Sequence, residues 1–175
     1  MLWRTRVFCL AACLALALAS CGYHTAGRAV RLPPTVHTVA IPAFINQTQS
    51  YRLEQILTAA VVREFNTRTG YRVLTEPGEE ADAVLRGTVV STALSPMTYD
   101  AQTGRASSVL VTVNLRVSLT DRKGTVLYDS PGYTFREQYQ VSREVSSFFD
   151  EESPALDRLA RDFARTLVAN ILEAY

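Results

Sequence analysis

The segment from Val109 to Thr120 constrains the fold more than any other part of the chain. Every odd-numbered residue from Val109 to Leu119 is valine or leucine, and the positions between them are polar apart from Leu110. Successive side chains of a β-strand point to opposite faces of a sheet, so this pattern predicts a strand with one buried face and one wet face. Further strands beside it and a helical layer over its apolar row are therefore expected.

A strand, a helix and a second strand precede this segment. Val39–Ile45 and Tyr71–Leu74 are predicted as short strands. Between them, apolar residues at helical spacing predict a helix over roughly residues 51–68. Ser50 is placed to cap that helix, and Gly70 is placed to end it in a left-handed conformation. Together these elements predict a right-handed βαβ unit with parallel strands.

The following residues are predicted to complete the sheet. A third strand is expected at Ala83–Ser91, and Ser95–Ser107 is expected to form a long exposed loop before the alternating strand. Asp121–Gly124 has the composition of a tight turn. Two more strands are expected after it, at residues 125–128 and 133–143.

The chain closes with a predicted amphipathic helix that Ser153 caps and Pro154 starts. Two helices and about five strands with one apolar face each predict an α+β fold. We expect a two-layer α/β sandwich, with two helices packed on one face of a mixed, mostly antiparallel sheet. A single domain is expected over residues 39–175. The apolar stripe of the closing helix consists of Leu156, Leu159, Ala160, Phe163, Leu167, Val168 and Ile171.

The first residues have the layout of a bacterial lipoprotein signal. A basic start is followed by the apolar run Val7–Ala19, which is shorter than the ~20 residues needed to span a bilayer. The run ends in Leu-Ala-Ser-Cys21, which resembles a lipobox, whose cysteine thiol takes the lipid. We therefore predict a signal peptide over residues 1–20, lipidation at Cys21 and a tether over residues 21–38. The alternative is a simple signal peptide followed by an incidental cysteine.

Cleavage before Cys21 changes the composition on which function is judged. The whole chain has a net charge of +1, whereas loss of Arg4 and Arg6 leaves 16 basic and 17 acidic residues, a net charge of −1. A near-neutral chain offers no long-range field for nucleic acid, so a nucleic-acid partner is not expected. Cys9 and Cys13 leave with the signal, so disulfides and cysteine-based sites are not expected in the mature chain.

No arrangement of residues predicts catalysis or a resident cofactor. His24 and His37 have no second histidine, cysteine or carboxylate at metal-ligand spacing, and no phosphate-binding or hydrolase motif is present. Asp150–Glu152 is better explained by the helix that follows it than by a cation site. We therefore expect a protein that is not an enzyme and that binds neither a metal nor another cofactor.

The wet face of the predicted sheet is the more informative surface. Arg116 lies on that face, and neighbouring strands add Arg86 and Arg136 in the same register. Spaced arginines suit a phosphate-bearing partner or a polar barrel lumen, although an ordinary solvated face has the same pattern. Tyr99 and Arg105, in the predicted long loop, are further candidates for binding. The neutral residues of this face are Thr88, Thr112, Asn114, Gln138 and Gln140.

Taken together, these features resemble the LptE family of lipopolysaccharide-assembly lipoproteins. The resemblance covers nearly all of the predicted mature chain. It includes the opening, a strand with a following asparagine, a helix end, two long paired strands joined by a Thr/Gly loop, a tight turn and the closing amphipathic helix. The residues concerned are Cys21-Gly-Tyr23, Val39–Phe44 with Asn46, Thr69-Gly70 and Asp121–Gly124.

The resemblance implies a function and a location. Family members are outer-membrane lipoproteins that sit in the lumen of the LptD β-barrel, help it fold and bind lipopolysaccharide during its delivery to the outer leaflet. Gly22 is not the aspartate that typically retains lipoproteins in the inner membrane, so the periplasmic face of the outer membrane is expected. An auxiliary lipoprotein of another envelope lipid-transport or secretion complex remains the alternative.

The lipobox leads to a direct prediction. Cys21→Ala removes the thiol that accepts the lipid, so it should block both lipidation and cleavage. The expected product is an uncleaved precursor held in the inner membrane by its apolar run. Metabolic labelling with a radioactive fatty acid and the mass of the purified protein measure this. Normal cleavage of the variant would contradict the assignment.

Overall fold

The computed structural model describes residues 32–141 and 152–173. Within these ranges the chain forms two long helices and a mixed sheet of six strands. The elements in chain order are β1 (Thr38–Ala40), β2 (Ile45–Asn46), α1 (Leu53–Arg68), β3 (Arg72–Leu74), β4 (Ala83–Tyr99), β5 (Ala106–Asp121), β6 (Val126–Gln140) and α2 (Glu152–Glu173).

The sheet combines a parallel edge with a long antiparallel meander. Its strand order is β3-β1-β4-β5-β6, and β2 pairs with β4 beside that path. Strand β1 runs parallel to both β3 and β4, and the β4–β5 and β5–β6 pairs are antiparallel. The predicted βαβ unit is confirmed as β1-α1-β3. The predicted two-layer α+β sandwich with a mixed sheet is also confirmed.

One apolar core lies between the sheet and the two helices. The odd-numbered residues of β5 from Val109 to Leu119 are all buried in it, as their alternation predicts. Phe163 of α2 packs edge-on against three rings that rise from the sheet side, with centroid separations of 5.4–6.2 Å. Those rings belong to Phe44, Tyr133 and Phe135.

A contact between Phe44 and Gly87 brings the β1–β2 connection down onto the sheet. Gly87 pairs with Val117 and therefore faces the helices, and a Cβ atom at this position would overlap the Phe44 ring. The backbone N–H of Phe44 also donates to Oγ1 of Thr58 in α1, at 3.0 Å. The absence of a side chain at Gly87 thus gives the aromatic ring its place in the core.

Several predicted strand boundaries are wrong. The strand expected at Val39–Ile45 is divided into β1 and β2, with Pro42, which has no N–H to donate, between them. The long loop expected at Ser95–Ser107 is mostly strand, because β4 continues to Tyr99 and β5 begins at Ala106. The two strands expected after the Asp121 turn are a single strand, β6, which runs through Pro131 and Gly132.

The predicted helix ends also need correction. Arg52, in a left-handed conformation, precedes α1 and makes no side-chain cap, whereas the Ser50 hydroxyl donates to Oγ1 of Thr92 at 3.1 Å. Helix α1 ends at an extended Thr69 whose hydroxyl donates to the carbonyl of Phe65, so Gly70 does not end it in a left-handed turn. Helix α2 begins at Glu152, so Ser153 lies inside its first turn.

The packed part of the chain begins before β1. Leu32 and Val36 are buried in the core, although both fall in the segment predicted to be a tether. Leu32 and Val36 therefore attach this part of the predicted tether to the core. The predicted signal peptide, Cys21 and the first part of the tether lie outside the described residues.

Asp82 joins three elements at one end of the sheet. Its Oδ2 accepts the backbone N–H groups of His37 and Thr38 at 2.9 and 3.0 Å, and its Oδ1 lies 3.3 Å from the Arg122 guanidinium. The hydrogen bond from His37 is the main reason that the pKa of Asp82 lies below its usual 3.8. The ionised carboxylate thus ties the start of β1 to β4 and to the β5–β6 turn.

The Phe44–Gly87 contact predicts a large effect of a small substitution. Gly87→Ala should lower the free energy of unfolding by about 1–3 kcal/mol, because the new methyl group and the Phe44 ring cannot occupy the same space. Gly132→Ala is the matched control, since no atom lies within 4 Å of a Cβ placed there. Urea unfolding measures both variants, and equal stabilities would show that Phe44 does not require the glycine.

Asp82 predicts a pH dependence of stability. Its pKa is lower in the folded state than the unfolded value of 3.8, so its contribution is present above that value and is lost as the pH falls below it. Asp82→Asn should therefore lower the free energy of unfolding by about 1 kcal/mol at pH 7 and by progressively less in acid. Urea unfolding at several pH values tests this, and a constant difference between the two proteins would contradict it.

Candidate polar binding face

The candidate site is the sheet surface that faces away from the helices, formed by β4, β5 and β6 and called the polar face below. Arg86 pairs with Ser118, Thr88 with Arg116, and Arg136 with Thr112. Paired residues of neighbouring strands point to the same side, and the even-numbered residues of β5 point away from the core. The register therefore confirms that Arg86, Arg116 and Arg136 share one face, as predicted.

The neutral side chains of this face are bonded to one another across the strands. Asn114 donates to Oγ of Ser91 at 2.9 Å and accepts the hydroxyl of Thr134 at 2.7 Å, which links all three strands. A second row joins Thr98 to Ser108 at 2.8 Å and Ser108 to Gln138 at 3.3 Å. These rows satisfy the amides and hydroxyls and hold the surface around the arginines in place.

The arginines themselves are exposed and little engaged. Arg86 makes one long hydrogen bond, 3.4 Å to Oγ1 of Thr120, and neither Arg116 nor Arg136 is bonded to another described residue. Arg86 and Arg116 are diagonal neighbours, ~7–8 Å apart at the backbone. Arg136 lies ~14 Å from Arg116. In the described part of these strands, Asp129 is the carboxylate on the face, so cationic groups exceed anionic ones there.

Polar groups on the opposite, helical side of β6 already have partners. The Tyr133 hydroxyl is bonded to that of Tyr128 and accepts Nδ2 of Asn170 at 2.8 Å. Burial, together with the bond to Tyr128, raises the pKa of Tyr133 to about 12, so its hydroxyl stays protonated at neutral pH. Glu137 is paired with Arg158 of α2 at 2.6 Å. These groups hold α2 on the sheet, and none of them is left for a ligand.

The structure does not bring Tyr99 and Arg105 to the three arginines. Tyr99 ends β4 and pairs with Ala106, six residues along β5 from the partner of Arg136, which is a distance of ~20 Å. The turn after Tyr99 is tight, with Asp100 accepting the N–H groups of residues 102 and 103. Both residues are exposed at the tip of the β4–β5 hairpin, too far along the sheet to act together with the three arginines.

Sequence reasoning missed part of the face. Ser91, Ser108 and Thr134 belong to its hydrogen-bonded rows, and Asp129 reduces its positive charge. The position of Asp129 depends on the register shift between β5 and β6 at residues 130–133, whereas Thr134 shares the alternation of Arg136. The Pro131-Gly132 pair was the signal for that irregularity, since such residues mark bulges in strands.

Other kinds of site find no support in the described ranges. Residues 32–141 and 152–173 contain no group of three or more histidine, cysteine, aspartate or glutamate side chains able to hold a metal ion. Neither described helix combines the length and apolar character required to cross a membrane. The polar face therefore remains the candidate surface.

Comparison with known families decides the assignment. Residues 36–171 match the LptE family, described as Lipopolysaccharide-assembly. The chain belongs to the LptE family. The match begins at Val36, which is buried in the core, and ends at Ile171 in the last turn of α2, so it covers the folded domain. The LptE chain is thus a lipopolysaccharide-assembly lipoprotein of the cell envelope, in a family without enzymatic activity.

Solved structures share the fold of this LptE-family chain. The solution NMR structure of uncharacterized lipoprotein B from Nitrosomonas europaea has a TM-score of 0.56 and 13% identity, and the match covers 86% of this chain and 90% of that one. A protein from Xanthomonas campestris has a TM-score of 0.52 and 15% identity over 84% and 92% of the two chains. Comparison with curated protein sequences gave no significant match. At these identities the structural likeness supports the fold alone.

Proposed function

We propose that this chain is an outer-membrane lipoprotein, anchored through Cys21 on the periplasmic side, that assists assembly of an LptD-type β-barrel and plugs it. In this role it binds lipopolysaccharide for delivery to the outer leaflet. The observation that carries the proposal is the polar face, on which three arginines share one side of a sheet that packs against the helices on its other side.

The chemistry of the face fits the proposed ligand. Arginine binds phosphate through two parallel hydrogen bonds, and the lipid A and core regions of lipopolysaccharide carry phosphate groups. Arg116 and Arg136 are exposed and have no ion pair with another described residue, so binding a phosphate would not require breaking an existing one. The amide and hydroxyl rows beside them suit the polar interior of a barrel.

The folded domain is also suited to act as a rigid unit that a tether joins to the membrane. Its core needs no disulfide or metal, since both helices bury continuous apolar stripes on the sheet. Acylation at Cys21 would hold the chain at the membrane because each buried CH₂ contributes ~0.8 kcal/mol. A non-enzymatic role in assembly and plugging requires such a scaffold and no reactive group.

Charge reversal on the polar face tests the proposal. The double variant Arg116→Glu and Arg136→Glu replaces two phosphate donors with groups that repel phosphate. It should lower the recovery of lipopolysaccharide, of the barrel, or of both at least about tenfold, since hydrogen bonds to charged groups contribute about 1.5–3 kcal/mol each. Detergent extraction of the lipidated protein, followed by quantification of co-purified lipopolysaccharide and barrel, measures the change.

A double control has the same change of charge on the helical layer. Arg63 of α1 and Arg161 of α2 are exposed, so Arg63→Glu combined with Arg161→Glu should leave recovery of both partners unchanged. Circular dichroism of each variant checks that the fold is intact. Wild-type recovery of lipopolysaccharide and barrel by the double variant of the polar face would contradict the assignment of the face, and failure of the wild-type protein to recover either would contradict the function itself.

A further inference from the structure

Strand β4 pairs with other strands along only part of the edge that faces away from β5. Strand β1 pairs with it at Ala83 and Val84, β2 pairs with it at Thr88 and Val89, and Gln47 N–H donates to the Val89 carbonyl at 3.0 Å. After β2 the chain leaves this edge of the sheet and enters α1. From Ala93 to Tyr99, no described residue forms a backbone hydrogen bond on this side, and we call this stretch the open edge of β4.

The open edge lacks the charged side chains with which proteins usually protect exposed strand edges, although Pro96 and the register shift after it interrupt its far end. Natural edge strands carry charged residues, prolines and bulges that prevent pairing with other chains. The other sheet edge, β6, has them, since it contains Asp129, Arg136 and Glu137 as well as Pro131. No charged residue occurs in β4 from Gly87 to Tyr99, and Leu94 and Met97 are 56% and 53% exposed.

The position of Pro96 shows which backbone N–H and carbonyl groups of β4 point to the open edge. Proline has no N–H, and in sheets its nitrogen faces away from the neighbouring strand. Pro96 is paired with Val109, so its nitrogen is directed to the open edge. Alternate residues of a strand direct their backbone groups to the same edge, so Leu94 has the same orientation as Pro96. The N–H and carbonyl of Leu94 and the carbonyl of Pro96 are therefore free to bond to an added strand. Pro96 and the register shift after it limit pairing beyond this point.

We infer that the open edge of β4 binds an extended, uncharged segment of the protein partner, which adds to the sheet as a further strand. This inference rests on the proposed function, in which that partner is the β-barrel. The segment would continue the line of β1 and β2 along β4, bond to the backbone at Leu94 and Pro96, and cover the exposed Leu94 side chain. Leu94 pairs with the buried Val111, so its side chain points away from the polar face, and protein and lipopolysaccharide would contact opposite sides of the sheet.

Amide hydrogen exchange distinguishes strand addition from side-chain contact. The Leu94 amide should exchange rapidly in the isolated lipidated protein and at least about tenfold more slowly in the complex co-extracted with the barrel. The backbone of β6 serves as an internal control, because its outer edge is not expected to gain a strand. Unchanged exchange at Leu94 in a complex that contains the barrel would overturn the inference and leave the proposed function standing.

A pair of variants at the same position completes the test. Leu94→Pro removes the outward donor, whereas Leu94→Thr keeps the donor and removes only the apolar side chain. Both should fold, since Leu94 is half exposed and its N–H is outside the β4–β5 ladder. Recovery of the barrel should be roughly two- to tenfold lower for Leu94→Pro than for Leu94→Thr, the effect of one hydrogen bond.

The remaining outcomes count against the inference. Equal recovery by the two variants would assign Leu94 to side-chain contact and overturn strand addition. Protection of Leu94 in the isolated protein that increases with protein concentration would assign the edge to a second copy of the chain. Absence of the barrel from wild-type extracts would overturn the proposed function, and the inference with it.

Discussion

Burial of the odd-numbered aliphatic row of β5 under the two helices is the constraint on which the rest of the structure depends. All six residues of this row, from Val109 to Leu119, are at most 9% exposed. A slip of one residue would move the whole row to the solvent side, so the register of β5 is strongly determined. Because β4 and β6 both pair with β5, its register also determines where their side chains point.

This division of the sheet has a functional consequence. The helical side of the sheet is closed by aromatic packing and by polar groups that already have partners, such as Glu137 with Arg158. The polar face carries the arginines together with rows of bonded amides and hydroxyls. A near-neutral chain can therefore bind an anion locally, although its overall charge offers no long-range attraction.

The sequence was sufficient for the layers, the βαβ unit and the shared face of the three arginines, because these follow from periodicity within single elements. It was insufficient where the structure depends on contacts between distant residues. The Phe44 ring over Gly87 and the left-handed Arg52 before α1 have no local signal. Pro96 and Gly104 favoured a loop at Ser95–Ser107, but pairing with β5 extends β4 through the proline. Tyr99 and Arg105 consequently lie far from the arginines with which they were grouped.

The central claim is that the polar face, and not the helical layer, meets lipopolysaccharide. Photocrosslinking in intact cells tests it most directly, with a photoreactive amino acid placed either at Thr112, beside Arg136, or at the exposed Arg161 of α2. The account predicts crosslinks to lipopolysaccharide from position 112 and none from position 161. Crosslinks from position 161 alone, or from neither position, would contradict it.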